Sequence, residues 1–227
     1  MKYHMELGAL HDIIDTERAA KVSGARFAYL KGRLALLQFA VIQHAFHVLT
    51  DESILKEIAA SVDQALPAKP FVPVLPPVFI RPETFDRMAR LEPKEERYHI
   101  VSDDQYLVGS AEHTLGSMHM DEIVKEENLP LRYVGYSSSF RREAGSYGKD
   151  TRGILRVHQF DKIEIESFTT PESSRREQDF IVAIQEYLVR SLEIPYQVVA
   201  VCTGDMGSPD ARQIDIECWL PSQGCYR

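Results

Sequence analysis

Two hydrophobic periods run along the chain, and its elements follow from them. In residues 34–49, LALLQFAVIQHAFHVL, apolar side chains occupy nearly every face of a helix. That is the pattern of a helix covered on most sides. A core helix and a helix covered by a second copy of the chain both satisfy it. Thr50 or Asp51 is placed to cap a following helix to about Leu66, and Pro67 and Pro70 end it. Residues 131–136, LRYVGY, are rich in β-formers and predict a strand. Over residues 160–166, Ile163 and Ile165 alternate with Glu164 and Glu166, which predicts a strand with its acids on one face. Thr170-Pro171-Glu172 is a helix start, with a capping hydroxyl, a first-position proline and an acid in the first turn. The helix runs to about Leu192 and lines up Phe180, Ile184, Tyr187, Leu188 and Ser191. Residues 196–201 read as a buried strand, residues 202–207 as a loop, and residues 213–220 as an alternating strand.

The remaining segments are less periodic. Residues 1–31 predict a short helix followed by a strand. Four prolines at positions 70, 73, 76 and 77 exclude a central strand over residues 69–79 and favour an edge or interface segment. Residues 82–97 are charged and read as a surface helix and loop. Residues 106–114 read as a strand entering a helix, with Ser110 placed to cap it and Glu112 at its positive end.

Composition narrows the class. The 227 residues are 44% hydrophobic and 26% charged, as in a soluble globular protein. A net charge of −8 argues against broad, non-specific nucleic-acid binding but permits a local basic patch. Cys202, Cys218 and Cys225 are odd in number and lack metal spacing, which fits a reduced, cytoplasmic compartment. No signal peptide is expected from MKYHMELGAL, and no apolar run approaches the roughly 20 residues of a membrane span. His44 and His47 share a helix face, but no third ligand accompanies them.

The densest chemistry lies in residues 140–164, FRREAGSYGKDTRGILRVHQFDKIE. Two charged, aromatic parts flank a loop carrying Gly145, Gly148 and Gly153. Read as an antiparallel hairpin, the stretch places Arg141, Arg156, Phe160 and Glu164 on one sheet surface. Guanidinium forks suit phosphate oxygens, a ring suits a base and a carboxylate suits an amine. On a strand Arg141 and Glu143 share a face, while Arg142 points the other way. A solvated surface hairpin has the same local composition.

The pattern FRxE, a loop, then RxxxF resembles the second signature motif of class II aminoacyl-tRNA synthetases, and its wording resembles the seryl-tRNA synthetases among them. Other stretches carry the same resemblance. They are ERAAKVSGARFAYLKG at the amino end, Ser110-Ala111-Glu112 where the family has Thr-Ala-Glu, CTGDMG at 202–207, and the DxExWLP pattern from Asp215. Residues 33–79 resemble the first motif, with Pro77 on the motif proline and Pro70 in place of its usual glycine. The second motif covers about 131–166.

The resemblance implies an α/β fold of the α+β type, an antiparallel sheet flanked by helices, forming the class II catalytic core over residues 1–227. It implies ATP-dependent activation of serine to seryl-adenylate and transfer to tRNA, by a cytoplasmic homodimer using magnesium. Arg141 would hold the α-phosphate and the serine carboxylate as the catalytic residue. Glu143 would read the adenine edge, Phe160 would stack on the ring, and Arg156 would take the outer phosphates, with Arg142 beside them in the ATP-binding set. Ser110, Ala111, Glu112 and Glu164 would bind serine, while the metal ligands stay unassigned. Asp215 and Glu217 share a strand face that either reaches a cation–phosphate assembly or is simply solvated. Neither a third motif nor the long tRNA-gripping arm is found in the 227 residues, so an incomplete domain, weak or inactive alone, is expected. A carrier-protein ligase with catalytic zinc and a non-catalytic dimerising module are the alternatives.

Overall fold

The computed structural model describes residues 2–143 and 153–227. In chain order the elements begin with α1 (His4–Leu10), β1 (Ile14–Asp15), α2 (Thr16–Ser23), β2 (Tyr29–Leu30), α3 (Arg33–Thr50) and α4 (Glu52–Val62). Then come β3 (Val72–Val74), β4 (Phe79–Ile80), α5 (Pro82–Arg87), β5 (Tyr98–Ile100), β6 (Gln105–Leu107) and α6 (Glu112–Leu115). The last are β7 (Leu131–Phe140), β8 (Gln159–Phe168), α7 (Pro171–Ser191), β9 (Tyr196–Ala200), β10 (Ile214–Leu220) and β11 (Cys225–Tyr226). The architecture is mixed, with antiparallel sheets and helices, and the chain divides into two compact units.

The first unit comprises Met1–His44, Val74–Glu122 and Gly135–Glu166. Its amino-terminal part holds two short helices where one was expected. Asp15 separates them, because its carboxylate accepts the Arg18 amide at 2.9 Å and caps α2. Gly24 ends α2 at φ 98°, a conformation that glycine adopts without strain. A three-stranded sheet of order β4-β6-β5 packs one core cluster of Ile80, Phe85, Leu91, Tyr106 and Val108. Phe85 and Leu91 correct the surface reading of residues 82–97, since both are buried. Along α3, Leu36, Leu37, Phe39 and Val41 remain exposed, so this helix is not covered all round within the chain.

The second unit comprises Ala45–Pro73, Ile123–Val134 and Ser167–Arg227. Asp51 caps α4 by accepting the Ser53 and Ile54 amides, as expected, and the helix closes at Val62. Thr170 caps helix α7, its hydroxyl accepting the Ser173 amide, and the helix buries Phe180 and Ile184. Its Glu177 forms a buried pair with Arg132, with Nε and Nη2 both donating to the carboxylate. Strand β9 pairs with β10 in register Ile216↔Val198 at the edge of the order β11-β10-β9. Its residues are largely exposed, which corrects the buried-strand reading. Besides the two-stranded pair β1-β2, a further sheet has the order β3-β7-β8, so the proline-rich β3 is an edge strand, as the missing amide of Pro73 requires. No described helix is long and apolar enough to cross a membrane.

Candidate active site

Strand β7 ends at Phe140, so Arg141, Arg142 and Glu143 lie on the chain just past it and not on the sheet. Backbone bonds fix the segment from Phe140 to Arg142. Phe140 donates to the Val108 carbonyl at 2.9 Å, Arg141 to that of His158 at 3.0 Å, and Arg142 to that of Glu96 at 3.1 Å. Glu143 then adopts a left-handed conformation at φ 53°, uncommon for a side chain of its kind. Its carbonyl accepts a bond from Arg26 Nη1 at 3.0 Å.

This segment builds one wall of a cavity of about 550 Å³ within the first unit. Arg90, Arg97, Arg141 and Arg156 line it together with Glu96, Glu112, Glu143, Pro93 and His113. Most of the cations are matched. Arg156 meets Glu143 at 2.6 Å and Arg90 meets Glu112 at 2.7 Å. Arg141 donates from Nε to the Gly109 carbonyl at 3.0 Å, and its guanidinium carbon lies 5.2 Å from the Phe160 ring centroid. Arg142 is outside this lining and lies over Tyr98 at 5.7 Å. Arg141 thus lines the cavity and Arg142, expected in the ATP-binding set, does not, and because both lie past the strand, strand alternation is not what separates them.

A second cluster contains the other expected residues. The buried Ser110 hydroxyl donates to Glu164 and accepts from Lys162 Nζ at 3.0 Å and from the Glu112 amide at 3.2 Å. One donor and two accepted bonds use the full capacity of a hydroxyl. Lys162 also stands 2.6 Å from Glu164. Ala111 is fully buried, and its carbonyl accepts the Leu115 amide in α6. Glu112 belongs to both places, lining the cavity while its amide meets Ser110. Phe160, Ser110, Ala111 and Glu164 are therefore beside the cavity lining, not in it.

Electrostatics distinguish two further groups. Burial pushes the His113 imidazole down to about 3, helped by Arg97, Lys162, Arg141 and Arg90. The neutral ring accepts the Gly109 amide at Nδ1, 3.2 Å away, so a single residue, Gly109, links His113 to Arg141. Burial, Glu164 and Glu112 push Glu166 up to about 8, against the pull of Lys162 and Arg90. Sequence reasoning missed Arg90, Arg97 and His113 as cavity residues. Two of them fall in the charged stretch 82–97, where no periodicity marks them. Gly145 and Gly148 lie outside the described residues, whereas Gly153 has φ 91° and leaves no room for a side chain beside His4. Among the described residues no three His, Cys, Asp or Glu side chains converge as a metal site. Glu217 accepts from Gln197 at 2.6 Å and Asp215 from Gln213 at 3.1 Å.

Comparison with known proteins places this geometry. Serine–tRNA ligase of Acidothermus cellulolyticus is 47% identical over 225 residues, covering 99% of this chain and 50% of that protein. The corresponding protein of Thermobifida fusca is 45% identical, covering 99% of this chain and 49% of that protein. The chain thus spans about half the length of the curated relatives it matches. Among solved structures, seryl-tRNA synthetase from Pyrococcus horikoshii complexed with ATP matches with TM-score 0.81 at 39% identity, over 100% of this chain and 47% of that one. Cytoplasmic serine–tRNA ligase from Naegleria fowleri in complex with AMP matches with TM-score 0.83 at 29% identity, over 99% of this chain and 50% of that one. Residues 97–227 match the model of the tRNA synthetase class II core domain (G, H, P, S and T), and the chain belongs to that family.

Proposed function

We propose that this chain carries the serine- and ATP-binding site of a cytoplasmic serine–tRNA ligase. In this reading a carboxylate oxygen of serine attacks the α-phosphorus of ATP. The new O–P bond forms as the bond to the leaving pyrophosphate breaks, and pyrophosphate departs with the electron pair. A terminal ribose hydroxyl of tRNA then attacks the seryl carbonyl, the ester bond forming as the bond to the phosphate oxygen breaks, so that AMP leaves and the hydroxyl proton is released. Two anions must meet in the first step, so positioned positive charge matters more than proton transfer.

The observation that carries this reading is the convergence of Arg141, Glu143 and Arg156 on one cavity, with Phe160 beside Arg141. Arg141 is suited to the α-phosphate and the serine carboxylate, Glu143 to the adenine amino edge, and Arg156 to the outer phosphates. Phe160 offers a ring face for the base. Ser110, Glu112 and Glu164 form a polar group for the serine hydroxyl and ammonium, with the buried Ala111 fixing the turn between them. Magnesium would accompany the triphosphate and offset its charge, although among the described residues no three His, Cys, Asp or Glu side chains converge to hold it. The exposed apolar residues of α3 support a homodimer, with 33–79 and 131–166 as the first two class II motifs.

Calorimetry with a non-hydrolysable seryl-adenylate, seryl-sulfamoyl adenosine, tests the reading. The chain is expected to bind it more tightly than the alanyl and threonyl analogues. Equal affinity for all three, or no binding of any, would overturn the assignment to serine.

A further inference from the structure

Arg97 is the exception among the arginines of the cavity. Arg90 and Arg156 each meet a carboxylate, and Arg141 has the Gly109 carbonyl and the Phe160 ring. Among the described residues Arg97 makes no ion pair, and its buried Nε has no hydrogen-bond partner. Its guanidinium lies over the fully buried Phe85 at 5.4 Å. A methyl group added at Gly109 would come within 3.5 Å of Arg97 Nη1 and 3.6 Å of Arg141 Cγ, so both side chains flank one glycine. Burial and the neighbouring positive charge of Arg141 disfavour the charged form of Arg97, and the carboxylates of Glu96 and Glu112 offset this only in part.

A guanidinium kept next to another cation, partly desolvated and with no carboxylate in ion-pair reach, is costly to hold. Such an arrangement is relieved when a ligand brings the missing negative charge, and an arginine fork suits phosphate oxygens best. We propose that Arg97 is a second phosphate-binding guanidinium of this site, which with Arg141 grips the α-phosphate of the adenylate. This rests on the serine- and ATP-binding reading above. During adenylation the α-phosphate gains the incoming carboxylate oxygen while it still holds the leaving pyrophosphate. Two guanidiniums flanking that phosphate offset the charge more than one does.

Calorimetry with AMP and with adenosine isolates the phosphate. Losing one charge-assisted bond weakens binding by about 10–100-fold, so Arg97→Gln should weaken AMP to that extent and leave adenosine unchanged. Arg97→Lys should recover only part of the loss, because a point charge lacks the fork. Arg87→Gln removes an exposed charge paired with Asp121 and controls for net charge, so AMP affinity should stay at the wild-type value. Melting curves of each variant check that it folds, and Arg97→Lys still tests the inference if Arg97→Gln does not fold. If the wild type binds AMP and both Arg97 variants bind it equally well, the inference is wrong and the nucleotide site stands. Equal weakening of AMP and adenosine also overturns it, since Arg97 would then only shape the cavity. A wild-type chain that binds neither ligand sinks both the inference and the reading beneath it.

Discussion

Lys162 and Glu164 face each other at 2.6 Å, two residues apart on β8, and both bond the Ser110 hydroxyl. The carboxylate therefore already carries one cation and one hydroxyl in a part-buried setting. An amino-acid ammonium would add a second cation to the same oxygens. Glu164→Gln keeps the size and removes the charge. It should weaken seryl-sulfamoyl adenosine by about 10–100-fold, the range for a charge-assisted bond, and leave adenosine unchanged. Unchanged affinity for the seryl analogue would show that Glu164 only holds Lys162 and Ser110.

The adjacent arginines should behave very differently. Arg141 lines the cavity, held by Gly109 and stacked beside Phe160, whereas Arg142 lies over Tyr98 outside it. Arg141→Ala should cost about two orders of magnitude in binding the adenylate analogue, as for a lost phosphate fork. Arg141→Lys should restore little of it. Arg142→Ala should fall within about 0.5 kcal/mol of wild type, typical of a surface change. Comparable losses at both positions would mean that the segment after β7 does not select between them.

That contrast marks how far the sequence could be read. Local signals placed the capped starts of α4 and α7, the edge position of β3 and the strand β8, because each is decided within a few residues. The resemblance to the class II motifs named Arg141, Glu143, Arg156 and Glu112. What stayed hidden depends on distant partners. Arg97 and Arg90 sit in a stretch that reads as solvated, and only the packing of Phe85 and Leu91 beneath it reveals otherwise. His113 looks like any helix residue until its ring meets the Gly109 amide. Strand β9 has an interior composition and an edge position, a difference set by sheet order and not by its own residues.

Glu166 should make stability depend on pH in an unusual direction. Its ordinary value of 4.5 is pushed up to about 8 by burial and by Glu164 and Glu112, while Lys162 and Arg90 pull it down. Between those values the folded chain keeps a proton that the unfolded chain has released. Stability from this group is thus present below pH 4.5 and lost as pH rises through about 8. Glu166→Gln should match the wild type near pH 5 and melt at a higher temperature above pH 8. Melting curves that run parallel across this range would show that Glu166 is ionised in the folded state.

Helix α3 leaves Leu36 69% and Phe39 61% exposed, and Leu75, beyond it in sequence, is 80% exposed. Large apolar side chains exposed in this way are what a second subunit would cover. The chain is expected to sediment as a dimer at micromolar concentration, and Phe39→Asp should convert it to a folded monomer. A wild-type monomer under those conditions would remove the dimer from the proposal.

Arg132 and Glu177 provide the sharpest stability test, because both are almost completely buried, at 1% and 4% exposure. Arg132 also donates to the carbonyls of Pro67 at 2.8 Å and Lys69 at 2.9 Å, and lies over the rings of Phe71 and Phe180. Ser167 supplies Glu177 with a further bond at 2.8 Å. Removing either partner strands an uncompensated charge, so Arg132→Met or Glu177→Met should each cost about 3–5 kcal/mol in urea unfolding. Replacing both with methionine removes the stranded charge and fills similar volume, so the double variant should lose much less than the two single losses combined. Simple additivity of the two would mean that the carbonyls and rings around Arg132, not its pairing with Glu177, are what the fold depends on.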